Sequence, residues 1–171
     1  MTEPIAIRRA APADAPALAR GAVEALDDYP GFAPAGWERP TYEQELDGLA
    51  EQLADPDYHC FAAFAGETLV GQVVVLPAAH TKVPVEDAGL GHLRNLFVDR
   101  SQWGSGLATT LLRTVEDDAR ASGFGALRLF VAEHQARARR FYEREGWHAV
   151  TEPYFDPIPG LPMVEYRRPL G

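Results

Sequence analysis

Residues 98–112 read VDRSQWGSGLATTLL: an apolar run ends at Val98, two glycines flank a serine, and leucines then recur at helical spacing. A strand that gives way to a helix needs a tight turn, and glycine supplies the left-handed backbone such a turn demands. The same junction exposes unpaired N–H groups and the positive dipole end of the new helix, which suit a phosphate, and glycine lets a bulky anion approach the main chain. Spacing excludes two nucleotide-binding patterns. The phosphate loop G-x-x-x-x-G-K-[ST] needs a Lys-Ser or Lys-Thr pair that does not follow, and the dinucleotide fingerprint G-x-G-x-x-G fails at Thr109. On these residues alone an anion cradle and a tight turn without ligand stay equally open.

Working outward, PADAPALARGAVEAL predicts a first helix with Leu18, Ala22, Val23 and Leu26 at helical spacing. An irregular loop, DDYPGFAPAGWERP, follows. Thr41 and Gln44 fit a capping box, and Tyr42, Leu46, Leu49, Ala50 and Leu53 form one apolar stripe, so a second helix is expected. The period then changes. HCFAAFA and TLVGQVVVL, joined at Gly66-Glu67, read as a hairpin, and GLGHLRNLFV as a third strand. Beyond the quoted turn, Leu107, Leu111, Leu112, Val115 and Ala119 supply an inward stripe that ASGFG ends. ALRLFVA reads as a strand, QARARRFYERE as a helix closed by Gly146, WHAVT as a strand, YFDPIPGLP as a proline-rich connection and MVEYRRPL as a last strand. There is no internal repeat. The order predicts a mixed sheet with helices on its faces.

With 171 residues, 46% of them apolar, the chain suits one core and a single domain over 1–171. No apolar stretch approaches the roughly 20 residues of a membrane span, and MTEPIAIRRAAPADA lacks a secretory segment, so a cytoplasmic protein without a membrane partner is expected. The single cysteine, Cys60, excludes an internal disulfide and a site of several thiolates; a buried, inert thiol and no metal are expected. A net charge of −9 argues against a broad nucleic-acid surface and is compatible with small cationic substrates, as it is with simple solubility.

VDRSQWGSGLATTLL resembles the acetyl-CoA-binding segment of the GNAT family of N-acetyltransferases, V-x-P-x-[YW]-[QR]-G-x-G-[IVL]-[GA]. Val98, Gly104, Gly106, Leu107 and Ala108 fall in register; Arg100 replaces the frequent proline and Trp103 stands where Gln or Arg is usual. VAEHQARARRFYEREGW (residues 131–147) resembles the family's later element V-x-x-x-N-x-x-A-x-x-F-Y-x-x-x-G-F, matching at Val131, Ala138, Phe141, Tyr142 and Gly146, with Gln135 where Asn is usual. The resemblance spans residues 91–147. It implies an α/β (α+β) domain whose mixed, mostly antiparallel central sheet of about seven strands is flanked by about four helices.

It also implies a function: acetyl transfer from acetyl-CoA to a primary amine of a small molecule, by direct transfer in a ternary complex. A protein or peptide amine and a non-catalytic acyl-CoA sensor are the alternatives, and a homodimer is expected because dimers are frequent among relatives. Such a reaction needs a neutral amine, a polarised thioester carbonyl and a protonated leaving thiolate. An amine of pKa about 10.4 must lose a proton, and His92, with an ordinary pKa near 6.5, is the candidate base, directly or through water; a packed histidine is the alternative. Gln135, Ala138 and Tyr142 share a helix face that the resemblance directs toward the cofactor sulfur, so Tyr142 is the candidate acid. A main-chain N–H among Leu96, Phe97 and Val98 is implied for the carbonyl. The main chain of Trp103, Gly104, Ser105, Gly106, Leu107 and Ala108 is implied for the pyrophosphate. Gln135 is a further contact, and Arg139 or Arg140, from the arginines around the two motifs, is a candidate for a phosphate. The acceptor pocket implied by the resemblance draws on Tyr29, Phe32, Trp37, Tyr154, Phe155 and Asp156, with Asp27 and Asp28 able to attract a cation. The same aromatics equally pack loops onto a core. Cys60, without a histidine partner, gives no reason for a covalent enzyme intermediate.

Overall fold

The computed structural model describes residues 3–171. In chain order, β1 (Ile5–Arg9), α1 (Ala15–Glu24), α2 (Tyr42–Leu46) and α3 (Leu49–Ala54) precede the hairpin β2 (His59–Ala65) and β3 (Thr68–Pro77). Then come β4 (Leu90–Val98), α4 (Leu107–Ala121), β5 (Ala126–Ala132), α5 (Ala136–Arg144), β6 (His148–Ala149), β7 (Tyr154–Asp156) and β8 (Leu161–Pro169). The strands form one eight-stranded sheet in the order β1-β2-β3-β4-β5-β8-β6, with β7 also on β8. Every pairing is antiparallel except β4 with β5, so the sheet is mixed and mostly antiparallel, as expected.

Both faces are covered. On one, the α4 stripe Leu107, Leu111, Leu112, Val115 and Ala119 meets Leu127, Leu129 and Val131 of β5, with Trp147 and Tyr166 closing the same cluster. Each leucine withdrawn from water contributes about 1.5–3 kcal/mol. On the other face Ala15, Leu18 and Leu53 pack against Tyr58, Cys60, Ala62, Val74 and Leu76. Strand β3 is therefore mostly apolar without alternation, Gln72 being its one polar residue within the buried run Val70 through Leu76. Cys60 is buried and free, and burial pushes its thiol up to about 12, so it stays protonated at neutral pH. No helix among the described residues is long and apolar enough to cross a membrane.

Three local readings are corrected. The second helix is two: Asp47 turns extended (ψ 120°) and Gly48 takes φ +71°, which separates α2 from α3 and leaves Leu53 as the one buried residue of the expected stripe. The capping box holds, with Thr41 Oγ1 accepting from Gln44 N at 3.2 Å and Thr41 N donating to Gln44 Oε1 at 2.8 Å. WHAVT contributes only the two residues of β6. The proline-rich connection carries a strand, β7, pairing Tyr154 with Met163 and Asp156 with Leu161.

The feature that makes the site lies in β4. Its ladder with β3 steps from Gln72↔Phe97 to Val74↔Arg94, so Asn95 and Leu96 stand opposite Val73 in a bulge, and Asn95 takes φ +55°. A bulge bends its strand. On the other side, the parallel ladder with β5 covers only Leu90↔Ala126, Gly91↔Leu127 and His92↔Arg128. Beyond His92 the two strands part, while on its other edge β5 stays paired with β8 along its whole length.

Candidate active site

A cleft of about 770 Å³ lies beyond the parting of β4 and β5. Leu96, Phe97 and Val98 of β4 line one wall, the glycine turn and the start of α4 a second, Gln135, Ala138 and Tyr142 of α5 a third, and Asp27, Asp28 and Phe32 a fourth.

The turn explains its own composition. After Val98 a single 3-10 turn (Arg100–Gln102) leads to Gly104 at φ +81° and Gly106 at φ +86°. A Cβ on either glycine would meet nothing within 4 Å. The requirement is thus the left-handed torsion and an open approach, with no packed neighbour to avoid. The N–H of Trp103 donates to Arg100 O at 3.1 Å and that of Ser105 to Gln102 O at 3.1 Å. Ser105 Oγ turns back to accept from Leu107 N at 3.3 Å. Among the described residues, the N–H groups of Gly104, Gly106, Ala108 and Thr109 have no backbone acceptor. Four unspent donors at the positive end of a 15-residue helix form an anion cradle.

Cationic side chains flank it. Arg100, Arg137, Arg140 and Arg144 all line the cleft. The Arg137 guanidinium lies 3.2 Å from the centroid of the Trp103 ring and that of Arg100 5.1 Å, while the indole N–H donates to Val98 O at 3.0 Å. Trp103 therefore anchors the turn by its side chain and gathers two cations beside the cradle. Arg139 is a correction: its Nε donates to Tyr166 Oη at 3.0 Å and its Nη1 to Glu133 O at 3.0 Å, on the side away from the cleft. Neighbouring residues on a helix project about 100° apart, so Arg140 faces the cleft where Arg139 does not. Ser105 is likewise absent from the lining.

Tyr142 packs its ring edge-on against Phe141 and Trp147, at 5.3 and 5.8 Å between centroids, and is 8% exposed. Its hydroxyl makes no hydrogen bond to any described residue, although the residue lines the cleft. Burial, and secondarily the nearby Tyr29, raise its pKa above the ordinary phenol value, so it remains protonated with its O–H free of any described partner.

His92 stands at the apex of the parted strands, is 6% exposed and does not line this cleft. Its Nδ1 accepts from Arg128 Nε at 3.2 Å. Burial first, then the charges of Arg128 and Arg94, lower its pKa to about 3. A ring so placed is a poor proton acceptor, so the geometry gives the expected base role no support.

The structure gathers most of the aromatics expected for the acceptor, although of them only Phe32 lines the cleft. Tyr29 lies 4.9 Å from Phe32 and 5.7 Å from Trp37 between ring centroids, and Tyr154 meets Phe130 edge-on at 6.5 Å. Ala132, Leu161 and Met163 support them. Tyr29 Oη donates to Gln135 Oε1 at 3.0 Å, tying this group to α5, and Trp37 Nε1 donates to Pro159 O at 3.1 Å. Phe155, 63% exposed, stands outside the group. Asp27 pairs with Arg39 at 2.9 Å and Asp28 with Arg100 at 2.5 Å, so neither carboxylate is unpaired. Among the described residues no group of three His, Cys, Asp or Glu is placed to hold a metal.

Sequence reasoning passed over Thr109 and Arg144, which line the cleft, and Arg128. The position of Thr109 three residues past Gly106, in the first turn of a helix, is the signal for the first; a lone charge inside ALRLFVA is the signal for the last.

A model of the acetyltransferase (GNAT) family matches residues 22–147. The chain is 30% identical over 127 residues to an IAA acetyltransferase of Azospirillum brasilense, covering 73% of each chain. It is 30% identical over 107 residues to an aminoalkylphosphonate N-acetyltransferase of Salmonella typhimurium, covering 62% of this chain and 67% of that one. Among solved structures, an acetyltransferase from Thermus thermophilus superposes with a TM-score of 0.72 at 25% identity, covering 99% of each chain. The paia N-acetyltransferase of Thermoplasma acidophilum, in complex with coenzyme A, shares the fold at a TM-score of 0.72 and 22% identity, over 95% of this chain and 98% of that one.

Proposed function

The chain belongs to the acetyltransferase (GNAT) family, and from that premise we propose that it transfers an acetyl group from acetyl-CoA directly to the primary amine of a small molecule, with both substrates in the cleft at once. One juxtaposition carries this reading: an unpartnered phenol on α5 faces the same cleft as four unspent main-chain N–H groups. The residues fit acetyl-CoA. Gly104, Gly106, Ala108 and Thr109 offer N–H donors to a diphosphate, and Arg140 and Arg137 offer charge beside it.

Bound there, acetyl-CoA supplies an acyl thioester. Beyond the parting, β4 has no ladder on the β5 side, and an N–H from Leu96–Val98 is the donor for the thioester oxygen. The amine nitrogen bonds to the carbonyl carbon as the carbon–sulfur bond breaks. Its surplus proton goes to water. Tyr142, kept protonated by burial, donates to the sulfur as negative charge develops there, and a proton from solvent restores the phenol. The inert thiol of Cys60 takes no part.

The relative named for aminoalkylphosphonate supports a small acceptor. A single domain over residues 1–171 and a homodimeric assembly complete the reading. The test is initial-rate kinetics of thiol release with acetyl-CoA and small primary amines. Intersecting double-reciprocal lines, with N-acetyl product equal to thiol released, are expected. Parallel lines, or acetyl-CoA bound without release for any amine, would overturn the proposal.

A further inference from the structure

His92 Nδ1 receives a hydrogen bond from Arg128 Nε at 3.2 Å. A guanidinium only donates, so Nδ1 must carry the lone pair and the ring proton sits on Nε2. Arg128 is itself held: it is 1% exposed, and its Nη2 donates to Thr81 Oγ1 at 2.9 Å and to the carbonyl of Val83. The tautomer is therefore fixed by a buried network, while His92 Nε2–H has no partner among the described residues and is not sealed from solvent. A donor held in one tautomer and left open at the surface of a residue only 6% exposed is a fixed, directional N–H available to an acceptor on a ligand.

The surrounding charge says which kind. His92, Arg128 and Phe130 share one face of the sheet, as do their register partners Arg167 and Glu165 on β8 and, two residues along β4, Arg94. The only carboxylate among these is Glu165. It is 2.9 Å from Arg167 but 4.0 Å from Arg128, so the guanidinium behind His92 lacks a close counter-ion. Arg94 reaches Gln52 and Tyr58, both neutral. By contrast Asp27 and Asp28, which would attract a second ammonium group, are already paired with arginines. The ring of His92 lies 5.2 Å from Phe130, which in turn meets Tyr154, placing the donor beside the aromatics expected for the acceptor.

We propose that the acceptor is an amine that also carries an oxyanion, a carboxylate or a phosphonate, and that this oxyanion docks on His92 Nε2–H, with Arg128 the positioning residue that holds that tautomer. The proposal rests on the acetyl-transfer reading for what happens to the amine, but the docking is measurable without turnover.

The test combines imidazole nitrogen NMR with kinetics on the full chain, using 3-aminopropionate and 2-aminoethylphosphonate against propylamine and putrescine. Long-range proton–nitrogen spectra of the ligand-free protein are expected to show His92 as the Nε2–H tautomer, and Arg128→Gln to release it into a mixture. Millimolar oxyanion probes should shift the Nε2 resonance, and the two uncharged-tail or diamine probes should not. The larger shift tells carboxylate from phosphonate. In turnover the oxyanion amines should exceed propylamine at least tenfold in kcat/KM. His92→Phe should erase that preference mainly through KM, and His92→Gln, which keeps a donor, should restore part of it. An Nδ1–H tautomer, an Nε2 unmoved by both oxyanions, or equal kcat/KM for propylamine overturns the proposal. Shifted Nε2 with no thiol release by any amine supports the docking and indicts the acetyl-transfer reading instead.

Discussion

Replacing Tyr142 by Phe removes one oxygen and nothing else. The ring that packs on Phe141, Trp147 and Tyr166 stays, and no hydrogen bond within the described structure is lost. Folding stability should therefore change by less than about 0.5 kcal/mol, since no native partner is orphaned. The rate is another matter. A positioned acid contributes roughly a hundred- to ten-thousandfold, and a thiol of pKa about 8.5 is a fair leaving group, which places this enzyme near the lower end. A hundredfold loss is about 2.7 kcal/mol of transition-state stabilisation. Because the phenol acts only as sulfur becomes charged, kcat and kcat/KM should fall together, with the acetyl-CoA Kd unchanged. Thiol release at saturating acetyl-CoA gives the rates, and calorimetry gives the Kd. A Tyr142→Phe enzyme within about threefold of the parent, or one whose rate loss is matched by lost acetyl-CoA affinity, refutes the assignment.

Two adjacent arginines should behave oppositely. Arg140→Ala should weaken coenzyme A binding by about three- to tenfold and flatten its salt dependence, with stability nearly unchanged, because Arg140 lines the cleft. Arg139→Ala should instead leave affinity alone and cost about 1 kcal/mol, as its bonds go to Tyr166 and Glu133; calorimetry and denaturant titration separate the two, and equal affinity losses contradict the assignment. His92 predicts an acid-side loss of stability. Its folded pKa of about 3 lies below the ordinary value near 6.5, so between them the unfolded chain binds the proton the native protein refuses. Its contribution is complete above pH 6.5 and falls as pH drops toward 3, by at most about 1.4 kcal/mol per unit. His92→Gln should remove that part of the slope; urea unfolding of both proteins with identical slopes would show otherwise.

What the chain declared openly was whatever depends on neighbours in sequence. The glycine turn and the α4 stripe are local, and so are the apolar runs that mark the main strands along the chain. Gly48 is instructive because the capping box and the stripe around it both fit one helix, yet the backbone there turns left-handed. Strand β7 hid among prolines because its pairing with β8 depends on register across a loop. Arg139 and Arg140 are equivalent in composition, and only the rotation of α5 against Tyr166 distinguishes them. His92 looked like a base because its ordinary pKa near 6.5 can be read from residue type, whereas its partner, 36 residues away on β5, cannot.

The claim beneath all of this is that the main chain between Gly104 and Thr109 holds the diphosphate of acetyl-CoA. Amide proton–nitrogen spectra recorded during titration with coenzyme A test it directly. The resonances of Gly104, Gly106, Ala108 and Thr109 should move downfield together, saturating at the Kd measured by calorimetry. Saturable binding that leaves those four amides in place would contradict the account.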